Sequence, residues 1–289
     1  MKQTLKMKGM MGCMLVGLMA ILSVACANEG KDAPPTSTED LQASSDFKNE
    51  FNQQLPDLFS ADISPENDAL SVRSLNSLGL SANKKVYVEM AYAKSIQEAG
   101  LTKVSSLNDV GHLITEEAAN FSFEPTDYTV DSFELSEIKA NEALQPLIQA
   151  SKTYLYSLNF SEWEIQDMLA ECGGMECDLV LLVLGLVTVN EEDDQEYQLA
   201  PFVPAGILPI DENETVSPLL NWNDVLDCAM EAIGADVFYA LAASKPNVAC
   251  VWTKKAIKKL ITGVAKRFLG PAGVILAVGE FGYCLYRHR

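Results

Sequence analysis

The chain has 289 residues, of which 48% are hydrophobic, and a formal net charge of −19. This composition excludes a chain too polar to fold, and the negative charge opposes nucleic acid as a partner because the phosphates would be repelled. The charge is divided unevenly, with −29 on residues 26–253 and +7 on residues 254–289. The sequence therefore predicts an acidic body followed by a basic C-terminal segment.

The first 25 residues have the organisation of a secretory signal peptide. Lys2, Lys6 and Lys8 form a basic start, and residues 10–24 are almost purely apolar. This run has the length of a signal-peptide core and is too short for a stable membrane span. The competing interpretation is a short buried helix, but the helix of a soluble core usually carries a polar face, which the run lacks. We expect residues 1–25 to be removed during export.

The signal ends in Ser23-Val24-Ala25-Cys26, which resembles the lipobox of bacterial lipoproteins. The resemblance implies that Cys26 receives lipid and that the protein is anchored in the cell envelope. Ala27 is not the Asp that favours inner-membrane retention, so an outer-membrane location is implied where the host has one. Residues 26–39 are polar and proline-rich, as in a flexible tether. The alternative is ordinary cleavage at Ala25-Cys26-Ala27, which would release a soluble protein.

Residues 40–200 are expected to form an acidic, mainly α body. Apolar residues at spacings of three and four predict helices over 46–59, 85–99, 106–121 and 131–158, the last bent at Pro146. Ser161 followed by Glu164 predicts a capping box and a helix that ends at Gly173. The apolar run 179–189 fits a buried helix or a strand. We favour the helix because its neighbours are helical; the alternative is a hairpin with residues 197–203.

Residues 201–220 contain four prolines and are predicted to form a linker. Residues 221–289 are predicted to form a basic module of three helices, over 223–243, 252–268 and 272–286. The second of these helices has an apolar stripe on one side and a cationic face on the other. The cationic face is formed by Lys254, Lys255, Lys258, Lys259, Lys266 and Arg267. The fold class is therefore mainly α, a helical body plus a C-terminal three-helix module.

The C-terminal module allows two interpretations. A cationic amphipathic helix beside a glycine-rich apolar helix resembles the membrane-active bacteriocins, and the resemblance implies binding to anionic lipid. Alternatively, the three helices form a compact bundle in which the basic helix packs against acidic residues. We favour the bundle because the body, with its charge of −29, supplies the counter-charge.

The mature chain keeps five cysteines beside Cys26, an odd number, so at least one thiol has no partner within the chain. Cys172 and Cys177 are close enough in sequence to close a local loop. Cys250–Cys284 is the preferred disulfide of the C-terminal module. If the third helix instead runs beside the first in the opposite sense, Cys228–Cys284 forms. Zinc is not expected, because the sequence has only two histidines.

No catalytic motif, metal-ligand pattern or cofactor fingerprint is present. The acidic run 191–194 lacks the alternating ligands and glycine of an EF-hand loop. The first hypothesis is a non-enzymatic, lipid-anchored envelope protein with a binding role, attached to the membrane through Cys26 and able to bind a protein partner. The alternatives are a bacteriocin-like protein masked by its acidic body, and a carboxylate-based hydrolase.

Overall fold

The structure is a computed structural model that describes residues 4–6, 38–64, 85–93, 103, 105–110, 128–190, 222–244, 252–268 and 270–287. Its elements in chain order are β1 (Thr4–Lys6), α1 (Thr38–Ser60), β2 (Lys85–Ala93), β3 (Tyr128–Ser136), α2 (Glu137–Ala143), α3 (Gln145–Ser157), α4 (Glu162–Cys172), α5 (Asp178–Asn190), α6 (Trp222–Ile233), α7 (Ala235–Ser244), α8 (Lys254–Phe268) and α9 (Pro271–Arg287). The mainly α class is confirmed.

Helix α5 lies at the centre of the fold. The side chains from Leu179 to Val189 are buried, and α5 packs against α3, α6, α7, α8 and α9. The hydroxyl of Thr188 donates to the carbonyl of Leu184 at 2.7 Å, which satisfies the polar side chain inside the core. A helix covered on all sides needs no polar face. This confirms the helical interpretation of the apolar run and excludes the strand.

One hydrophobic core joins the first described helix to the last. The cluster of buried residues includes Phe51 and Leu55 of α1, the apolar side chains of α5 from Leu179 to Val189, and Phe281 of α9. The rings of Phe51 and Phe281 meet edge to face, with their centroids 5.6 Å apart. The predicted acidic body and C-terminal module therefore share a core. Residues 201–220, the predicted linker, lie outside the described residues.

Close packing of α1 on α9 depends on the absence of a side chain at Gly282. A Cβ added at Gly282 would lie 2.5 Å from Cδ2 of Leu55, which is itself fully buried. We expect Gly282→Ala to destabilise the fold by about 1–3 kcal/mol, because overpacking pushes α1 away from α9.

The measurement for Gly282→Ala is the free energy of unfolding in urea. Ala242→Gly on the exposed side of α7 is the control. It exchanges the same two residue types without touching the core, and so measures the difference in helix propensity alone, about 1 kcal/mol. An unchanged stability of Gly282→Ala would contradict the close approach of the two helices.

The helix predicted over 223–243 is two helices. Gly234 separates α6 from α7 with φ of 97°, a left-handed conformation that L-residues with side chains rarely adopt. The guanidinium of Arg267 from α8 lies directly against this glycine, so a Cβ would also collide with it. The apolar periodicity continues across the break, and therefore could not reveal it.

Two predicted helices are wrong in the same way. Residues 85–93 form β2, and the start of the helix predicted over 131–158 is the end of β3, which pairs antiparallel with β2 in the register Val88↔Phe133. In β2, Val88 is buried between the exposed Tyr87 and the half-buried Glu89, an alternation of period two. The β-branched and aromatic content of residues 85–93 favours a strand. Pairing with β3 selects the strand period of two over the helical period of about 3.6.

The sheet has a third, short strand, since β1 pairs parallel with residues 87–89 of β2. β1 lies within the residues that the sequence assigns to the signal. Removal of residues 1–25 would leave the β2–β3 ladder. Of the helix predicted over 106–121, residues 107–110 form a helical turn and the rest lies outside the described residues.

The other helix predictions are confirmed. α1 contains residues 46–59, and the bend at Pro146 appears as the boundary between α2 and α3 at Leu144. Helices α8 and α9 correspond to the second and third helices of the C-terminal module. None of the described helices is by itself long and apolar enough to cross a membrane; α8 and Pro271–Gly282, bent by 97°, meet that length and composition only as a pair.

The preferred disulfide is wrong and its alternative is present. Cys284 of α9 bonds Cys228 of α6, with their Cα atoms 5.3 Å apart. Helix α9 packs along α6, which is the arrangement that the alternative required, and Cys250 lies outside the described residues. Cys172 and Cys177 are not bonded to each other.

Candidate binding groove

The cationic helix α8 packs beside the acidic helix α4. Lys254 pairs with Glu164, and Lys258 pairs with Glu171 one turn further along. The apolar stripe of α8 (Ile257, Leu260, Ile261, Val264 and Phe268) faces the core, as its spacing predicts. Two members of the predicted cationic face therefore have acidic partners, as expected for the compact bundle.

The start of α4 is fixed by local capping. The hydroxyl of Ser161 accepts the backbone N–H of Glu164, and the Glu164 carboxylate accepts the backbone N–H of Ser161 at 2.9 Å. This is the predicted capping box. The same carboxylate bonds Lys254. Hydrogen bonds from Lys254 and Ser161 lower the pKa of Glu164 to about 2, so the group stays ionised.

A second polar cluster joins α3, α4 and the turn before α5. Lys152 donates to Glu162 at 3.1 Å and to Glu176 at 2.6 Å. Tyr156 donates to Glu162, and Gln166 donates to both acids. Hydrogen bonds from Tyr156, Gln166 and Lys152 lower the pKa of Glu162 to about 2. Burial lowers the pKa of Lys152, but its bonds to the two acids raise it overall. The cluster holds α4 against α3 and the turn before α5.

A groove of about 340 Å³ lies between α4 and α8. Its lining residues are Trp163, Glu164, Asp167, Met168, Glu171, Lys254, Lys255 and Lys258. The side of α4 supplies the aromatic ring and the acids, and the side of α8 supplies the lysines. Trp163 is 73% exposed although it is the largest apolar side chain of the groove. The groove thus places an exposed aromatic ring beside charges of both signs.

Of the remaining members of the cationic face, Lys255 lines the groove, whereas Lys259, Lys266 and Arg267 lie outside it. Arg267 donates to Asp236 at 3.4 Å and lies 5.6 Å from the ring centre of Phe268. Lys255, Lys259 and Lys266 are exposed, and the ion pairs among the described residues do not involve them. The structure therefore divides the predicted face into paired cations and three outward lysines.

The groove lacks the electrostatics of general acid catalysis. Its three acids lie along one side of α4, and two of them pair with lysines. An acid catalyst needs a carboxyl group whose pKa is raised toward neutrality, whereas that of Glu164 is lowered. Burial raises the pKa of Asp178 to about 6 and that of Glu280 to about 7, but neither residue lines the groove. A carboxylate-based hydrolase has no support at this groove.

The predicted cysteine sites are dispersed. The Cys172 thiol is held by α8, where it donates to the carbonyl of Lys258 and accepts from the hydroxyl of Thr262 at 2.9 Å. Cys177 points into the core, where burial, with the charges of Asp178 and Glu137, raises the pKa of its thiol. Cys26 and both histidines lie outside the described residues. In the described part of the chain, no three metal-ligating side chains come together.

The sequence pattern predicted a capping box over residues 161–164 but not the exposure of the Trp163 ring. The helical stripe Ile165, Met168 and Leu169 faces the core. Position 163 is about 200° around the helix from position 165, which places its side chain on the outer side. A tryptophan on the outer side of an otherwise acidic helix was the available signal.

No protein-family model matches the chain, and comparison with curated proteins and with solved structures gives no match.

Proposed function

We propose that this protein is an exported, lipid-anchored component of the cell envelope, and that its role is binding through the groove between α4 and α8. The observation that carries the binding role is Trp163, 73% exposed at a groove bordered by charges of both signs. Exposed tryptophan is rare on surfaces that contact only water and is enriched at recognition sites. The signal-like residues 1–25 and Cys26 support export and anchoring.

The anchor is tested by the intact mass of the protein recovered from its host. We expect an N-terminus at Cys26 that carries acyl chains. An unmodified N-terminus at Asn28 would overturn the anchor and indicate free secretion. Cys26→Ala should move the protein out of the membrane fraction, whereas Cys172→Ala, which removes another thiol, should leave it there.

The binding role is tested by a photo-crosslinking amino acid placed at position 163 in cells. We expect a discrete adduct from this position, with protein or with lipid. The control is position 239, because Tyr239 is also an exposed aromatic residue, at 62%, but lies on α7 away from the groove. Equal crosslinking from both positions, or none from position 163, would overturn a role for the groove.

A second candidate is membrane activity of the bacteriocin-like kind. It is favoured by one observation, the pair formed by α8 and Pro271–Gly282, which together have the length and composition of a span. Against it, α9 is packed under α1 and α6 and fastened to α6 by a disulfide. The test is leakage of dye-filled anionic vesicles by the whole chain, because an isolated C-terminal fragment would expose faces that α1 and α5 cover. Leakage at nanomolar protein would replace the binding role.

A further inference from the structure

We propose that the groove between α4 and α8, with the outward lysines of α8, docks on an anionic phospholipid surface. This proposal deepens the proposed function and rests on it, because the lipid anchor is what brings a membrane within reach. The basic stripe is defined by Lys255, Lys259 and Lys266, all exposed on α8. Spacings of four and seven place the three on one side of the helix, over about 16 Å of its length.

The stripe differs electrostatically from the rest of the cationic face. Lys254 and Lys258 are neutralised locally by Glu164 and Glu171. The lysines of the stripe have no ion-pair partner among the described residues, and Asp167 offsets only part of their charge at the groove. The outer side of α8 is therefore a positive surface on an acidic protein.

Trp163 adds an apolar contact to the groove, which it lines together with Lys255. Tryptophan rings concentrate at the headgroup level of bilayers because one edge is apolar and the other carries an N–H donor. Lysine side chains extend their apolar stems along such an interface and keep the ammonium group among the phosphates. The groove and the stripe together have the composition of a peripheral membrane contact.

The negative charge of the whole chain does not oppose this contact. At physiological ionic strength, charges beyond about 8 Å are largely screened. The acids on the other sides of the fold are repelled by the membrane and so orient the protein with α8 toward it. The charge division of the sequence, −29 on residues 26–253 and +7 on residues 254–289, is consistent with such an orientation.

A lipid surface is favoured over a soluble acidic partner by the length of the chain between Cys26 and α1. Helix α1 begins at Thr38, so twelve residues join the proposed lipid site to the fold. Fully extended, they reach about 40 Å. A protein anchored at Cys26 is therefore held within about its own diameter of the bilayer, where a basic surface meets headgroups at high effective concentration.

The test uses the protein as recovered from cells, with vesicles of phosphatidylcholine alone or with about one third phosphatidylglycerol. The readout is quenching of tryptophan fluorescence by brominated lipid, with Trp163→Phe to assign the signal. We expect quenching that requires anionic lipid and weakens with added salt. Lys259→Gln/Lys266→Gln should lower binding of the unanchored form about thirtyfold, the equivalent of about 1 kcal/mol per lysine.

The control is Lys85→Gln/Lys103→Gln, which removes two exposed lysines outside the stripe, one of them (Lys85) paired with Glu134. It should bind as the wild type does. Equal quenching on neutral vesicles, equal loss in the control, or no quenching from Trp163 would overturn the inference. A protein adduct at position 163 without vesicle quenching would leave the binding role standing and reject the lipid surface. An N-terminus at Asn28 with anionic quenching would instead reject the anchor alone.

Discussion

Glu280→Gln is expected to raise the stability of the fold at pH 8 by about 3 kcal/mol, and to leave it nearly unchanged at pH 4. Glu280 lies half-buried on α9, where burial and the facing Glu231 of α6 raise its pKa from 4.5 to about 7, in spite of Arg267 on α8. Below pH 4.5 the carboxyl group is protonated in both the folded and the unfolded state.

Between pH 4.5 and 7 the unfolded chain ionises at Glu280 while the folded chain keeps its proton. The unfolded state is thereby favoured, and stability falls as the pH rises until the folded group also ionises. Glutamine has the same shape and carries no charge, so the variant lacks this fall.

The measurement is urea denaturation of both proteins from pH 4 to 8. Burial also raises the pKa of Asp178, to about 6, so Asp178 contributes its own pH dependence to both proteins. The difference in stability between the two proteins therefore isolates the effect of Glu280. Glu142→Gln, at an exposed position of α2, is the control and should follow the wild type. A constant difference between wild type and Glu280→Gln across the pH range would show that Glu280 titrates normally.

Removal of the disulfide by Cys228→Ser/Cys284→Ser is expected to lower the free energy of unfolding by about 4 kcal/mol, the chain-entropy value for a loop of this length. The two cysteines are 56 residues apart in sequence and buried between α6 and α9. The bond limits the unfolded chain, and its loss also weakens the contact that covers the apolar face of α9.

Urea denaturation in the absence of reductant measures this loss. Cys172→Ser is the matched control, because it removes a thiol that has no disulfide, and should change stability much less. Peptide mapping without reduction gives the connectivity directly. A Cys284 peptide linked to Cys250 would contradict the pairing, and an unchanged stability of the double variant would contradict its structural role.

The sequence predicted the helices whose apolar stripes meet a core, and it predicted the capping box at Ser161, because these depend on residues within one or two turns. It was wrong at residues 85–93, where helical and strand periods overlap and the partner strand 128–136 is 35 residues away. Periodicity within one segment carries no information about a distant partner.

The same distinction applies to the candidate site. The cationic side of residues 254–267 is visible in the sequence, since helical spacing alone separates it from the apolar stripe. Which of its charges are neutralised is not visible there. The pairing of Lys254 and Lys258 with residues about 90 positions earlier depends on how α8 lies against α4.

The sequence by itself determined the mainly helical class, the uneven charge and the basic helix, all of which follow from composition and local spacing. It also predicts the export signal and the lipidation of Cys26, and the mass of the mature protein is the test of both. Only the tertiary structure decided that Cys284 bonds Cys228, that α5 is enclosed on all sides, and that Trp163 stands beside a groove. Each of these depends on which helix faces of distant segments meet, and that is set by burial of the whole core.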